Sequence, residues 1–355
     1  MKIGNLDIGN KLFVAPMAEV SDSPFRKIAK EHGAGLAFTQ MINALGAIRS
    51  DFDTLRHLSF NRSEKPIGVQ VLGKDPGILG EAVKEISKSK PDLIDLNCGC
   101  PVEKVVCHNM GAALLDDSKK IGTIVRTMVD SSSGVPISIK VRLGKDKSKI
   151  NIIDIAKSAE SNGASLIFIH TRTRADKYDS DPDWSWLKKV KESIKIPVVG
   201  NGSLFSPIDI KRMIDETGCD SAMIARGSLG NPFIFDRFNS LMEKGIDPGE
   251  PGAETVKHVL LKHIKLLVAE YGELLSIDKS KKQSIWYFRM YPGVNQFLDK
   301  VFASSSIDEL VRIIEEHTKN ILSGVYNHHS TEEINKKFKK KVLFWLTDES
   351  VESLG

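Results

Sequence analysis

Apolar, β-branched runs recur along the first two thirds of the chain: KLFVAPM (11–17), GLAFTQM (35–41), PIGVQVLG (66–73), DLIDLNCG (92–99), PISIKVRLG (136–144), SLIFIHTRT (165–173), IPVVGNGS (196–203) and SAMIARGS (221–228). Each is bounded by Gly, Pro, Asp or Ser and lacks strict apolar–polar alternation, the pattern of strands buried on both faces of a parallel sheet. Their starts lie 24 to 44 residues apart, which leaves room for a crossover helix each time. Most intervening segments read as helices: 23–32, 76–89, 118–131, 151–161, 184–193 and 207–217. Eight strands alternating with helices over about 240 residues predict a (β/α)8 barrel, with a doubly wound open sheet as the competing arrangement.

The strand ends decide between the two. Nearly every run closes on a chemically useful side chain: Met17, Gln40, Gln70, Asn97 with Cys100, Lys140 with Arg142, His170 with Arg172, Asn201 and Arg226. A barrel gathers these ends on one rim, where active sites of this architecture sit, whereas an open sheet spreads them along an edge. The expected class is therefore α/β, a (β/α)8 TIM barrel.

From about residue 247 the texture changes. DPGEPGAET is a Pro/Gly-rich linker, and the chain beyond it has no strand-like run. Residues 256–272 place Val259, Leu260, His263, Leu266 and Leu267 on one face at helical spacing. Amphipathic stretches follow at 284–302 and 307–322. The division expected is 1–245 for the barrel, 250–325 for an all-helical C-terminal domain, and 326–355 for a lysine-rich extension.

With 355 residues, 41% hydrophobic and 27% charged, the composition is that of a globular protein that needs no disulfide or metal staple. The longest run free of Asp, Glu, Lys and Arg, residues 32–48, holds a His and three glycines and is no membrane span. No basic segment followed by a long apolar core opens the chain, so no secretion signal is expected. Four cysteines, three of them within ten residues, fit free thiols in a reducing cytoplasm. The net charge of +4 is too mild to name a nucleic-acid partner. Residues 250–355 carry equal numbers of basic and acidic groups, so any basic surface there must come from local clustering.

Chemistry concentrates in DLNCGCPVEKVVCHNMGAALL (95–115). Asn97 and Cys100 end a buried strand on a Gly/Pro-shaped turn. As a nucleophile Cys100 would want a base such as the nearby His108; as an acid, a thiol of pKa about 8.5 can donate one proton at neutral pH. Three cysteines without a Cys-x-x-Cys pair or a fourth ligand do not make a metal site. Lys140 stands in an otherwise apolar strand and must meet an anion, a ligand or an ion-pair partner such as Asp95 or Glu19. Arg172 and Arg174 alternate after His170 and, on an extended segment, would point to one side. Gly200, Gly202 and Gly227, with Arg226, follow strands seven and eight, where barrels commonly cradle phosphate. A phosphate cradle, a buried Lys, Gln70 and a rim Cys together describe a flavin mononucleotide barrel.

The order of these motifs resembles the tRNA-dihydrouridine synthase family. The resemblance is carried by APMAEVSDSPFRKIAKEHGAGLAFTQMI (15–42), PIGVQVLGKDP (66–76), DLIDLNCGCPVEKVV (92–106), GAALL (111–115), PISIKVRLG (136–144), IHTRTR (169–174), PVVGNGS (197–203), ARGSLGNP (225–232) and IWYFRMYPG (285–293). It implies FMN contacts at Pro16, Met17, Ala18, Gln70, Lys140, His170, Asn201, Gly202, Ser203, Ala225 and Arg226. It makes Cys100 the general acid and Asn97 the reader of the target uracil. Arg142, Arg172, Arg174, Lys282 and Arg289 fall on the tRNA side. The implied reaction uses NADPH (or NADH) to reduce FMN. A hydride then passes from flavin N5 to uridine C6 and a proton from Cys100 to C5, giving 5,6-dihydrouridine in tRNA. A monomer without membrane attachment is expected.

Departures from the family pattern are Glu19 for Gly, Ser203 for Asp, Ala225 for Gly, Met290 for Gly, and Cys107-His108-Asn109-Met110 for a Lys/Gly-rich stretch. Lys279, Lys281, Lys282 and Arg289 interleave with Trp286, Tyr287, Phe288 and Tyr291. That is either a tRNA-backbone face or a core stripe with a solvated face. Lys336, Lys337, Lys339, Lys340 and Lys341 allow the same two readings. An FMN barrel reducing a small molecule and an RNA-binding protein without catalysis are the rival functions.

Overall fold

The computed structural model describes residues 1–4, 6–9 and 12–326. The lysines of the C-terminal extension, Lys336, Lys337, Lys339, Lys340 and Lys341, lie outside the described residues.

Eight parallel strands close into a barrel: β1 (Phe13–Val14), β2 (Leu36–Phe38), β3 (Ile67–Leu72), β4 (Leu93–Cys98), β5 (Ile137–Arg142), β6 (Leu166–His170), β7 (Val198–Asn201) and β8 (Ser221–Ile224). Each pairs with its sequence neighbour, and β8 pairs with β1. Every strand falls within an apolar run of the sequence. The crossover helices are α1 (Ser23–Glu31), α2 (Pro76–Ser87), α3 (Ser118–Ser131), α4 (Ile152–Ser161), α5 (Ser185–Ser193), α6 (Pro207–Thr217) and α7 (Phe233–Lys244). Caps set their starts: Asp22, Asp75 and Asp117 each accept a first-turn N–H, and Pro24, Pro76 and Pro207 supply the first turns.

The crossover after β2 is two short helices, Ala44–Arg49 and Phe52–Leu58, capped by Asn43 and Asp51. Neither is long enough to leave a periodic pattern in the sequence. A fully buried ion pair anchors the turn at 62–64 that leads into β3: Arg26 Nε donates to Glu64 Oε2 at 2.7 Å, and Ser23 Oγ to Glu64 Oε1 at 2.8 Å.

The floor of the barrel is apolar. Phe13, Leu36, Phe38, Leu93, Leu166, Phe168, Val199 and Met223 fill it, and Ile3 and Ile8 from an N-terminal hairpin join the cluster. Phe168 sits edge-on to Phe13 and Phe38, with ring centres 5.0 and 5.4 Å away. Gly68 makes this possible, because a Cβ there would collide with the Phe38 ring.

The chain divides into two compact units: Met1–Gly227 with Ile234–Asp247, and Ser228–Phe233 with the chain from Pro248 onward. In the second unit α8 (Ala253–Phe288) breaks at Gly272 (φ +75°), and α9 (Val294–Ala303) and α10 (Ile307–Leu322) follow. The amphipathic stretch read over 284–302 is thus two helices. Pro292 cannot continue α8, and Gly293 at φ +77° starts α9. Phe288 packs edge-on to Phe297 and His317, and those two rings stack 4.3 Å apart. Trp286, Tyr287 and Phe288 are buried, so the aromatic stripe is core. Ser228–Phe233 joins this unit, with Gly230 so close to the Trp286 carbonyl that no Cβ would fit.

Candidate active site

Above the apolar floor the same strands turn polar. Parallel register sets Gln70 beside Asp95 and Asp95 beside Ser138, with Asn97 beside Lys140 one step higher. Arg142 then lies beside His170, and His170 beside Asn201. The convergence expected of the strand ends is therefore present.

Asp95, fully buried, accepts from Gln70 Nε2 at 2.8 Å and Ser138 Oγ at 2.7 Å. Burial pushes its carboxyl up to about 6; the two hydrogen bonds and then Lys140 pull in the other direction. Gln70 Oε1 accepts from Asn97 Nδ2 at 2.8 Å, and Asn97 Oδ1 accepts from the Gly99 and Cys100 N–H groups at 3.1 and 2.9 Å. Asn97 thereby shapes the turn that holds Cys100 half-buried at the rim, while Cys98, its neighbour but one, is fully buried with its thiol pushed well up by burial. Gly111, at φ +58°, leaves space that a Cβ would take from Cys100.

Lys140 makes no ion pair or hydrogen bond among the described residues, and Asp95 is committed elsewhere. The ion-pair reading of this lysine is not what the geometry gives. Burial, then the Arg142 charge, lowers its ammonium to about 8. His170 is held neutral, far below the ordinary imidazole value, first by burial and then by Arg142, Lys140, Arg172 and Arg226. Its Nε2 lies 3.2 Å from an Arg172 guanidinium nitrogen and accepts from it, which leaves Nδ1 as the protonated nitrogen.

The arginines separate. Arg142 is engaged with backbone, donating to Gly99 O at 2.9 Å and Thr173 O at 2.8 Å. Arg172 is buried and donates to Ser180 O and to Ser203 Oγ at 2.9 Å. Arg174 is half-buried 3.5 Å from Asp116. The one-sided presentation expected of Arg172 and Arg174 does not occur, because β6 ends at His170 and the chain bends immediately after it.

On the cradle side, Asn201 Nδ2 donates to Met223 O at 2.8 Å. Gly202 at φ +141° leaves no room for a Cβ, which would lie 2.7 Å from Thr171 Oγ1, and one on Gly227 would collide with Leu204 O. Arg226 lies beside them with its pKa lowered, chiefly by burial. Pro16, Met17 and Ala18 follow β1, the strand that pairs with β8, and the Met17 carbonyl is capped by Ser21. Glu19 takes φ +58° and donates its N–H to Gln40 Oε1 at 2.8 Å. That left-handed backbone explains why glycine suits this position; a non-glycine residue there costs about 1 kcal/mol. Ser203 is likewise left-handed, at φ +53°, and Ala225 is half-buried.

Three contributors escape a reading of strand ends alone: Asp95 and Ser138, one step inside, and Tyr178. The Tyr178 ring stacks 6.2 Å from His170, with the Arg142 and Arg226 guanidinium carbons 5.5 and 5.2 Å from its centre. It sits in a charged loop, RADKYDSDPD, that carries no periodic signal.

Lys282 and Arg289 belong to the helical unit. Arg289 donates to the Leu229 and Trp286 carbonyls, and burial lowers its pKa to about 10. Lys282 is half-buried on α8.

The model of the family described as dihydrouridine synthase matches residues 13–325. The chain is 33% identical to tRNA-dihydrouridine synthase B of Vibrio vulnificus (strain CMCP6) over 323 residues, which is 91% of this chain and 100% of that protein. It is 35% identical to tRNA-dihydrouridine synthase B of Pasteurella multocida (strain Pm70), over 81% of this chain and 87% of that one. Among solved structures it resembles morphinone reductase in complex with tetrahydroNAD, with a TM-score of 0.51 and 11% identity over 72% of this chain and 92% of that one. Histamine dehydrogenase from Rhizobium sp. 4-9 is similar at a TM-score of 0.54 and 15% identity, over 75% of this chain and 50% of that one. The likeness to these two is one of fold.

Proposed function

Because this chain belongs to the dihydrouridine synthase family, we propose that it reduces the C5–C6 double bond of a uridine in tRNA to 5,6-dihydrouridine, with FMN as bound cofactor and NADPH as reductant. The observation that carries the reading is the rim turn on which Asn97 fixes Cys100, beside the unpaired Lys140.

The residues present fit FMN. Gly202 and Gly227 form a backbone cradle closed to side chains, with Arg226 as counter-charge, which is the donor set a phosphate requires. Lys140, half-buried and without an anion among the described residues, suits the electron-rich edge of a flavin ring. Gln70, His170, Asn201, Ser203, Ala225 and the 16–18 segment complete the lining. When bound, FMN supplies the hydride-transfer chemistry.

The chain's own residues do the rest. Cys100 Sγ holds the proton destined for uridine C5, and its position is set by the Asn97 amide. Asn97 keeps its second Nδ2–H for a uracil carbonyl. Neutral His170 donates through Nδ1 without adding a charge that would repel Lys140 and the arginines. Arg142 acts by fastening the Gly99 and Thr173 carbonyls on either side of the site, while Arg174 is the arginine most accessible to tRNA phosphate. The uridine must leave its stack to reach Cys100, as base-modifying enzymes require.

The barrel is the catalytic domain, and the helical unit, with Lys282 on its surface, binds tRNA. We also read the enzyme as a cytoplasmic monomer; among the described residues no helix is long and apolar enough to cross a membrane. Position-resolved mapping of dihydrouridine in tRNA from cells with and without the gene tests the proposal: one position should lose the modification and regain it on complementation. An unchanged map, with reduction of a small enone or pyrimidine by the flavin-loaded protein, would favour the small-molecule reductase. A protein that takes up no FMN would favour the RNA-binding alternative.

A further inference from the structure

Asp95 lies one step below the rim and takes no direct part in the chemistry proposed for Cys100. An ionised carboxylate only accepts hydrogen bonds, so Asp95 dictates which end of the Gln70 amide faces it. Nε2 must point down at 2.8 Å, which turns Gln70 Oε1 up toward Asn97. Oε1 in turn requires a donor, so Asn97 presents Nδ2 to it at 2.8 Å and Oδ1 to the turn. The Gly99 and Cys100 N–H groups then find the acceptor they need. Gln70, Asp95 and Ser138 are register neighbours on three adjacent strands, so the relay is built into the sheet. Ser138 closes its lower end by donating to the other carboxylate oxygen at 2.7 Å.

The geometry points to Asp95 as the positioning residue for the proton donor: through Gln70 and Asn97 it fixes the direction of both amides and thereby the turn that carries Cys100. A side chain at position 95 with no acceptor leaves Gln70 Nε2 without its partner, so Gln70 Oε1 is no longer held toward Asn97 and the turn is released. Lys140, the charged side chain beside Asn97, favours the ionised carboxylate. The inference rests on the reading of Cys100 as proton donor, but it is tested at the turn itself.

The variants are Asp95→Leu, which removes the acceptor, and Asp95→Asn, which keeps one: its amide oxygen accepts from Gln70 Nε2 while its NH2 donates to the Ser138 hydroxyl. The flavin-loaded proteins are alkylated with iodoacetamide, and the Cys100 rate is read by peptide mass spectrometry against exposed Cys107 as internal reference. Asp95→Leu should raise the Cys100-to-Cys107 ratio about fivefold or more and slow single-turnover uridine reduction about tenfold, with tRNA affinity unchanged. Asp95→Asn should keep the wild-type ratio. An unchanged ratio in Asp95→Leu, or a raised one in Asp95→Asn, overturns the relay. If Asp95→Leu does not fold, Asp95→Ala takes its place: a raised ratio supports the relay, and an unchanged one overturns it. If wild-type protein leaves tRNA unreduced, the proposed function fails while the alkylation ratio still tests Asp95.

Discussion

At their N-terminal ends the barrel strands contribute Phe13, Leu36, Leu93, Leu166 and Val199; toward their C-terminal ends β3 to β7 contribute Gln70, Asn97, Lys140, His170 and Asn201, with Asp95 and Ser138 as the polar step beneath them. In the lower half, position is set by close packing among side chains that have lost all contact with water. In the upper half, most polar side chains are held by a hydrogen bond to a named partner, and several carry charges that burial disfavours. The two halves share a backbone, so the apolar floor offsets the cost of the polar rim. Damage to the floor should therefore appear as lost stability, and damage to the rim as lost chemistry.

The largest expected effect separates them most sharply. Cys100→Ala removes a half-buried thiol from the rim, outside the apolar floor, and should lower uridine reduction about 10²–10⁴-fold while the urea unfolding midpoint stays put. A variant with full activity on native tRNA would break the assignment of the acid. Phe168→Ala is its counterpart: loss of the ring between Phe13 and Phe38 should cost about 3–5 kcal/mol in urea unfolding. Activity per folded molecule should fall far less than in Cys100→Ala; what loss there is would come through Lys140, the register neighbour of Phe168, and His170 on the same strand.

Lys140 sharpens the comparison through pH. Its folded pKa of about 8 lies below the ordinary 10.5, so the folded state carries the charge below pH 8 and loses it as pH rises through that value. Uridine reduction should fall above pH 8 as Lys140 loses its charge, and Lys140→Arg, which keeps its charge, should leave only the limb set by loss of the Cys100 proton. The sign for stability is opposite. Between about 8 and 10.5 the unfolded chain binds more protons than the folded one, so stability rises with pH in that window, and Lys140→Met should flatten the rise. A flat rate profile above pH 8 in the wild type would show that this lysine's charge is not used.

The architecture was legible because parallel strands buried on both faces leave unbroken apolar runs; all eight barrel strands lie inside the runs marked in the sequence. The strand-end side chains were legible for the same reason. What stayed hidden depends on register and chain reversal. Asp95 reads as an ion-pair partner of Lys140 until register places it between Gln70 and Ser138. Arg172 and Arg174 read as a pair until the bend after His170 parts them. Tyr178 and the two helices at 44–58 sit in segments too short or too charged for periodicity to mark.

The smallest expected effect is at Arg174, which stands between the two halves in character. Its guanidinium is 3.5 Å from the half-exposed carboxylate of Asp116, a pair worth about 0–1 kcal/mol at a wet surface. Arg174→Ala should therefore leave unfolding almost unchanged. If Arg174 meets tRNA phosphate, the same variant raises the KM for tRNA a few-fold at constant kcat and reduces the salt dependence of binding by about one charge. Asp116→Asn should do the reverse, since it frees the guanidinium for the substrate. A loss of stability above about 1 kcal/mol with KM unmoved would assign Arg174 to the scaffold, beside Arg142.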